Sequence, residues 1–161
     1  MKFDDLFHNT FKALRPHPSA IKHQVDLMLP SMPMVEACRA DDFDFFHPFI
    51  ASGHLTPDQM RHACDRYHLG KTKSGKPIFW MIDDMRQPFD AHIGATRISS
   101  LLKIREPFLE PWQVQHCLFG LHLLGVAGGE PICVIEREEA AVVLSELFPE
   151  SIWMAYATTP H

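Results

Sequence analysis

Two carboxylates directly follow a short apolar run near the carboxyl end of the sequence. Ile132–Ile135 is uncharged and mostly β-branched, and Glu136 and Glu138 come next, ahead of a stretch with helical periodicity. In open α/β sheets, ligands collect beyond the carboxyl ends of the strands. A carboxylate at such a position can bind a divalent cation or act as a general base. Glu136 is therefore a candidate catalytic residue, and Glu136 and Glu138 are candidate metal ligands.

The same carboxylates also have a purely structural interpretation. Acidic side chains are common in the first turn of a helix, because they interact favourably with the positive end of its macrodipole. Glu138 and Glu139 would both occupy such a turn, and Arg137 precedes them. On the sequence pattern alone, the structural interpretation is favoured.

Three lysines form the single basic cluster of the sequence. Lys71, Lys73 and Lys76 surround Ser74 and Gly75 in a polar turn. We take them as candidate nucleic-acid-binding residues, because such a turn could contact a phosphate. A solvated turn is the commoner explanation, since three lysines exert limited attraction in a chain of net charge −5. The segment also does not complete the GxxxxGK[ST] motif of a phosphate-binding P-loop, because Pro77 stands where the motif requires serine or threonine.

Histidine and cysteine recur together in two segments. The sets are His62, Cys64 and His68, and then His116, Cys117 and His122. Cys64 and His68 have the i, i+4 spacing of helical metal ligands, yet Cys64 falls on the apolar face of its predicted helix. Cys117 could be a thiol nucleophile, but its neighbours in sequence are apolar. Buried structural cysteines and scattered histidines are the favoured interpretation.

Composition limits the class of protein. The 161 residues are 46% hydrophobic and 11% aromatic, which suits one domain or two small ones with a real core. A net charge of −5 tells against strong independent binding to nucleic acid. Met1–Thr10 does not read as a secretory signal, and no apolar run is long enough for a membrane span. The four cysteines contain no CxxC pair, so reduced thiols in a cytoplasmic protein are expected.

The amino-terminal half is predicted to be mostly helical. Apolar residues follow one helical face through Phe3–Leu14, and a second apolar stretch covers Ile21–Leu29. Ser31–Ala40 is predicted to be a connector, and the aromatic-rich segment 43–50 a short buried helix. Thr56-Pro57-Asp58-Gln59 contains a capping box, and the helix that it starts is predicted to end at Gly70.

The carboxyl-terminal half is predicted to combine strands and helices. After the lysine turn, Ile78–Ile82 predicts a strand, and Ile98–Ile104 a short helix. From Pro111 another helix is predicted, with Val114, Cys117, Leu118 and Leu121 on one face and Gly125 after it.

The last predicted elements form a βαβ unit. Ile132–Ile135 and Ile152–Tyr156 predict strands, and apolar residues from Ala140 to Leu147 predict the helix between them. Strands connected in this way are parallel. An isolated parallel pair cannot cover its faces, so we expect it to join an earlier sheet or a partner.

Several separated segments, in order, resemble a known family. They are RYHLG (66–70), IFWMID (78–83), SSLLK (99–103), QHCLFGLHLL (115–124), VIEREEAA (134–141) and SIWMA (151–155). Together they resemble a primase-associated, Toprim-like family of uncharacterised bacterial proteins linked to mobile elements, over residues of about 46–157. The first forty residues lie outside the resemblance. The capped helix and following strand are similar to the small subdomain that precedes Toprim in primases.

The resemblance implies a role for Glu136 and also a departure from that role. Glu136 matches the Toprim glutamate, which implies acid/base chemistry in a Mg²⁺-assisted phosphoryl transfer. However, Glu139 stands where relatives have lysine, and Leu121 replaces an expected glutamate. The later DxD pair that holds the cations in Toprim enzymes does not follow. The zinc ribbon that often accompanies primases is also missing.

The resemblance and the patterns together predict an α+β protein. We expect N-terminal helices in 1–40, a pre-Toprim subdomain with a small central sheet in 41–110, and a truncated Toprim-like βαβ unit in 111–161. The implied function is a catalytically incomplete accessory protein of bacterial DNA replication or mobile elements. It would bind DNA or a replication protein weakly, need no cofactor, and not enter a membrane. A homo-oligomer could form through the C-terminal sheet edge.

Two alternatives stay open. One is a metal-dependent nucleotidyl- or phosphoryl-transfer enzyme that another chain completes, which would use Mg²⁺. The other is a purely structural protein-interaction module.

Overall fold

The structure, a computed structural model, describes residues 30–94, 96–98 and 117–156. Helices and strands are mixed in this part, which confirms the predicted α+β class. Its helices are α1 (Met32–Ala37), α2 (His47–Ala51), α3 (Pro57–Arg66) and α4 (Glu138–Leu147), with 3₁₀ turns at Asp44–Phe46 and Leu121–Val126. Its strands are β1 (Gly70–Lys71), β2 (Pro77–Ile82), β3 (Pro88–Ile93), β4 (Thr96–Arg97), β5 (Ile132–Ile135) and β6 (Ile152–Ala155). The predictions for 3–29, 99–116 and 157–161 lie outside the described residues.

The first sheet of the described chain is antiparallel, with strand order β1-β2-β3-β4. Strand β2 is one of its two inner strands and is buried on both faces. On one face, Ile78, Trp80 and Ile82 pack with Val35 of α1. On the other face, Phe79 and Met81 join the aromatic cluster around the 3₁₀ turn and α3. The predicted strand at Ile78–Ile82 is therefore confirmed, and it separates two layers of core.

Helix α1 corrects the prediction of a connector at Ser31–Ala40. The hydroxyl of Ser31 accepts a hydrogen bond from the Met34 amide at 3.3 Å, and Pro33 lies in the first turn. Proline is tolerated there because the first N–H groups have no partner within the helix. Pro33 therefore favours the start of a helix here, whereas the sequence analysis predicted a connector.

Helix α3 confirms the predicted capping box. The Thr56 hydroxyl accepts from the Gln59 amide, and the Gln59 side chain accepts from the Thr56 amide. The helix ends at Arg66, earlier than predicted, and His68 takes the left-handed conformation with φ 52°. Gly70, the predicted end, instead belongs to β1, where a Cβ would lie 3.1 Å from the Cys38 carbonyl oxygen.

The predicted βαβ unit is confirmed. β5 and β6 are parallel, with Ile132 opposite Ile152 and Ile135 opposite Ala155. Helix α4 connects them and contacts both strands. In the described chain this pair forms a separate sheet and does not join the antiparallel one. Of the two expected ways to cover this pair, joining the earlier sheet does not occur among the described residues, and joining a partner stays a prediction.

The helix predicted from Pro111 is wrong in its described part. Phe119 makes an antiparallel bridge with Ala155, with N···O distances of 2.9 and 3.0 Å. Gly120 follows with φ 88°, and a Cβ there would lie 3.0 Å from the Trp153 carbonyl oxygen. A helix cannot continue through this left-handed residue, and a larger side chain would not fit. Regular turns resume only as the short 3₁₀ helix Leu121–Val126.

The core crosses the predicted domain boundary. One cluster contains Phe43, Phe46 and Tyr67 from the earlier segment, and Phe119 and Val142 from the later one. Helices α3 and α4 also contact each other directly. Among the described residues, no helix is long and apolar enough to cross a membrane.

Candidate functional site

Glu136 lies where the sequence predicted it, directly after β5 and before α4. The residue is exposed, and it lies at the carboxyl end of the parallel pair because β5 ends at Ile135. Arg137 is the N-cap residue of α4, and its guanidinium pairs with Glu139 at 3.2 Å. The strand end therefore presents a carboxylate beside an exposed ion pair.

Glu138 has a different environment from Glu136. Its carboxylate receives a hydrogen bond from Nδ1 of His92 on β3, and Nε of Arg97 donates to Nε2 of His92 at 2.9 Å. The Glu138 and His92 side chains are 13% and 6% exposed. Because Nε2 accepts from arginine, the proton of a neutral imidazole must be on Nδ1. Arg97, His92 and Glu138 thus form a hydrogen-bonded chain between the antiparallel sheet and the start of α4.

The fold explains why these three groups meet. Asp90 and His92 alternate along β3, and both are buried. His92 lies opposite Phe79 of β2 and opposite Arg97 of β4. Residues two apart on a strand share a face, and this face is the one that packs towards α4. Glu138 is consequently held by the sheet at the first position of the helix.

An apolar groove lies beside the exposed ion pair. Its volume is about 310 Å³. It lies between the aromatic segment and α4, and its polar lining consists of Arg137 and Glu139; the apolar lining is Phe45, Phe49, Ala140, Val143, Leu144 and Leu147. This groove can accept an apolar group next to the strand end.

The three candidate lysines have unequal roles in the fold. Lys71 donates from Nζ to the Asp42 carbonyl at 2.6 Å and lies 5.0 Å from the centre of the Phe43 ring. Lys73 and Lys76 lie in the loop that joins β1 to β2, where Thr72 bonds to Lys76 across the turn. Lys71 therefore stabilises the fold, and the turn itself carries Lys73 and Lys76.

The cysteine and histidine candidates are mostly structural in the described chain. Cys64 is fully buried, and burial raises the pKa of its thiol to about 12. Burial likewise raises the pKa of Cys117 to about 11. His62 pairs with Glu146 at 2.8 Å. Such thiols are poor nucleophiles and poor metal ligands, because both roles need the thiolate. His116 lies outside the described residues.

His122 is the most strongly perturbed imidazole that the structure describes. Its Nε2 donates to the Arg66 carbonyl at 2.8 Å, and no described group bonds to its buried Nδ1. Burial lowers its pKa to about 4. The His68 ring lies 5.4 Å away, and burial also lowers the pKa of His68, which pairs with Glu36 at 3.1 Å. His122 therefore stays neutral and bridges α3 to the 3₁₀ helix.

The described residues contain no group of three or more histidine, cysteine, aspartate or glutamate side chains that could hold a metal ion. Of the two predicted metal ligands, Glu138 is hydrogen-bonded to His92, and Glu136 lies at the exposed end of β5. The structure therefore gives these two carboxylates separate surroundings.

Comparison with known proteins gives a family without an assigned activity. Residues 45–160 match the model of the family described as Domain of unknown function (DUF6371), which covers most of the chain. The chain belongs to this family. No curated protein and no solved structure matches the chain.

Sequence reasoning missed His92 and Arg97. The signal was present in Pro88–Ile93, where Asp90 and His92 alternate with Phe89, Ala91 and Ile93. Polar and apolar alternation predicts a strand with one polar face. Because this polar face is buried, it must meet charged partners, and Glu138 and Arg97 supply them for His92.

Proposed function

We propose that the chain is a catalytically incomplete, Toprim-like and primase-like accessory protein of bacterial DNA replication or mobile elements. It binds a partner protein, or nucleic acid weakly, and does not catalyse phosphoryl transfer alone. The observation that carries this proposal is the βαβ unit with Glu136 exposed at the carboxyl end of β5. That is the position in which an α/β sheet presents a functional residue.

The surroundings of Glu138 favour an accessory role over a metal-dependent one. Its carboxylate accepts from His92, which accepts in turn from Arg97. A carboxylate that moved to a cation would leave this buried chain without its acceptor, at a substantial cost in free energy. Glu138 therefore supports the strand end that carries Glu136 and is a poor second ligand beside it.

The distribution of charge supports weak binding of nucleic acid at most. The chain carries a net charge of −5, and Lys71 is held by Asp42 and Phe43. Lys73 and Lys76 lie in the β1–β2 turn itself and are the candidate phosphate contacts there. Binding that depends on two lysines is low in affinity, and it weakens only modestly as salt is added because few phosphates are neutralised.

A binding experiment tests the nucleic-acid part of the proposal. Fluorescence anisotropy of labelled single-stranded DNA is measured at low salt with the wild-type chain and a Lys73→Ala/Lys76→Ala double variant. Arg61→Ala, which removes another partly exposed cation from α3, is the matched control. We expect weak binding that the double variant loses and the control retains. Equal binding by all three chains would contradict the assignment of the lysine turn.

A metal titration separates the accessory role from the alternative of an enzyme completed by another chain. The exposed position of Glu136 at the end of β5 favours that alternative, because solvent and a cation can reach its carboxylate. On the accessory proposal, Mg²⁺ and Mn²⁺ leave the thermal midpoint of the wild-type chain unchanged. A rise that Glu136→Gln abolishes, and that Glu139→Gln retains, would support the enzyme instead. If both DNA and metals have no effect, a purely structural interaction module remains.

A further inference from the structure

The backbone of β5 pairs with β6 along one edge. The Pro131 carbonyl accepts from the Ile152 amide at 2.8 Å, and the Ile135 carbonyl accepts from the Tyr156 amide at 3.0 Å. In a parallel pair, alternate residues turn their backbone polar groups towards the same neighbour. The N–H and C=O groups of Ile132 and Val134 therefore point to the opposite edge. No strand of the described chain pairs with that edge.

The far edge of β6 is already closed. Phe119 bridges to Ala155 there, and the Tyr67 hydroxyl donates to the Trp153 carbonyl at 2.7 Å. The two edges of the parallel sheet therefore differ. In the part of the chain that the structure describes, the β5 edge is the one that can accept a further strand.

The side chains of this edge lack the usual protection against strand pairing. Ile132 is 52% exposed and Val134 is 47% exposed. No charged residue occurs between Pro131 and Ile135. Proteins normally protect an exposed edge with charges, prolines or bulges, because unpaired backbone groups recruit other strands. In this strand the proline, Pro131, lies directly before β5, so it does not protect the uncharged residues that follow it from pairing with another strand.

The flanking charges indicate which strand fits. Glu130 precedes the uncharged stretch and Glu136 follows it. If two copies paired antiparallel, with Ile132 opposite Val134 of the second copy, Glu130 would lie opposite Glu136 of the second copy at both ends. Like charges placed opposite one another destabilise a sheet, and the net charge of −5 adds to the repulsion. A strand with basic residues at its ends would instead be attracted.

We propose that the β5 edge binds an extended segment of a partner protein, with apolar residues at alternate positions and basic residues at both ends. Backbone hydrogen bonds to Ile132 and Val134 provide the pairing, as in other cases of β-strand addition. This inference rests on the proposed accessory role, for which it names the kind of partner. The bound segment lies beside Glu136, at the end of the same strand.

Amide exchange in the chain alone is the first measurement. By NMR, the amides of Ile132 and Val134 should exchange much faster than those of Cys133 and Ile135, which face β6. Equal protection of all four amides would overturn the proposal, because the edge would already be occupied. Protection that increases with protein concentration would also overturn it, in favour of a second copy of this chain.

A synthetic probe is the second measurement. A short acetylated peptide of alternating valine and threonine, with a lysine at each end, is added to the labelled chain. We expect shift changes at Ile132 and Val134 and slower exchange of their amides. The same peptide with glutamate at its ends should bind at least about tenfold more weakly. Equal binding of both peptides, or binding of neither, would overturn the proposal.

Variants of the chain localise the binding. Val134→Lys places a charge on the edge and should weaken binding of the lysine-flanked peptide by about tenfold or more. Val134→Thr retains an uncharged β-branched residue and should bind normally. Met85→Lys, at another exposed apolar position (79% exposed), is the matched control. Because Val134 is partly exposed, the lysine variant should fold, which its circular dichroism verifies. Retained binding by Val134→Lys would overturn the site.

The outcomes separate this inference from the proposed function. Peptide binding depends on Val134, whereas DNA binding depends on Lys73 and Lys76 of the β1–β2 turn. Loss of DNA binding with retained peptide binding leaves the edge intact as a protein-binding surface. Retained DNA binding without peptide binding rejects the edge and leaves the accessory role.

Discussion

The imidazole of His92 donates from Nδ1 to the carboxylate of Glu138, and this hydrogen bond joins β3 to the first residue of α4. Arg97 donates to the other ring nitrogen, so a guanidinium and a carboxylate contact opposite sides of the same ring. The two sheets of the described chain have no strand in common. The hydrogen-bonded chain is therefore a polar connection between the antiparallel sheet and the unit that carries Glu136.

Removing the charge of Glu138 should destabilise the fold. Glu138→Gln leaves the buried His92 without its anionic acceptor, and we expect a loss of about 2–4 kcal/mol in the free energy of unfolding. Glu139→Gln is the matched control, since Glu139 is 40% exposed and pairs with the exposed Arg137. Its effect should be within about 0.5 kcal/mol. Urea denaturation of both variants measures the difference, and equal effects would contradict the buried chain.

Stability should fall in mild acid because His122 is buried and neutral. Its pKa is lowered from the ordinary 6.5 to about 4, so the folded state binds its proton less readily than the unfolded state. The contribution is complete above pH 6.5 and is lost as the pH falls from 6.5 to about 4. The two pKa values correspond to roughly 3 kcal/mol of unfolding free energy. The lowered pKa of His68 acts in the same direction.

A non-titrating variant isolates this contribution. His122→Gln can still donate to the Arg66 carbonyl but cannot become charged. Urea midpoints measured between pH 7.5 and 4.5 should therefore depend less on pH than those of the wild type. His54→Gln is the control, because His54 is exposed and bonds to Ser52. If both variants have the wild-type pH dependence, His122 is not the group that titrates.

The βαβ unit could be predicted because its signals are local. Ile132–Ile135 is β-branched and uncharged, the following residues have helical periodicity, and Pro149 separates the helix from β6. The capping box of Thr56 and Gln59 is equally local. Each of these elements is determined by residues close together in the sequence, so its pattern predicts it without knowledge of distant contacts.

The errors arose where distant contacts decide the local structure. Leu118–Leu124 has an acceptable helical pattern, but Phe119 bonds to Ala155, and Gly120 must lie close to Trp153 and Tyr67. β3 was missed because Asp90 and His92 interrupt its apolar residues. Their burial is possible only with partners such as Glu138, which is distant in sequence. The two carboxylates of the candidate site, Glu136 and Glu138, were therefore predictable from sequence. The residues that hold Glu138 in place, His92 and Arg97, were not.

The hydroxyl of Tyr67 should contribute measurably to the attachment of β6. It donates to the Trp153 carbonyl at 2.7 Å, and the ring stacks on Phe119 with centroids 5.0 Å apart. Tyr67→Phe keeps the ring and removes the donor, so we expect a loss of about 1–2 kcal/mol in urea denaturation. Tyr156→Phe is the control, because Tyr156 is 49% exposed. A loss of equal size in both variants would contradict the role of the hydrogen bond.

The thiols of Cys64 and Cys117 should react slowly in the folded chain. Their pKa values are raised by burial to about 12 and about 11. At pH 8 the thiolate fractions are therefore about one in ten thousand and one in a thousand. Iodoacetamide labelling followed by peptide mass spectrometry measures each rate, with glutathione as the reference thiol and the urea-unfolded chain as the control.

Fully buried Cys64 should be labelled only when the chain unfolds, so its rate should follow global stability across the variants above. Cys117 is half-buried and should react faster than Cys64 but far more slowly than glutathione. In the unfolded chain both should react at the ordinary rate. A folded-state rate for Cys117 near that of glutathione would instead restore the hypothesis of a thiol nucleophile, because reaction at pH 8 requires an accessible thiolate.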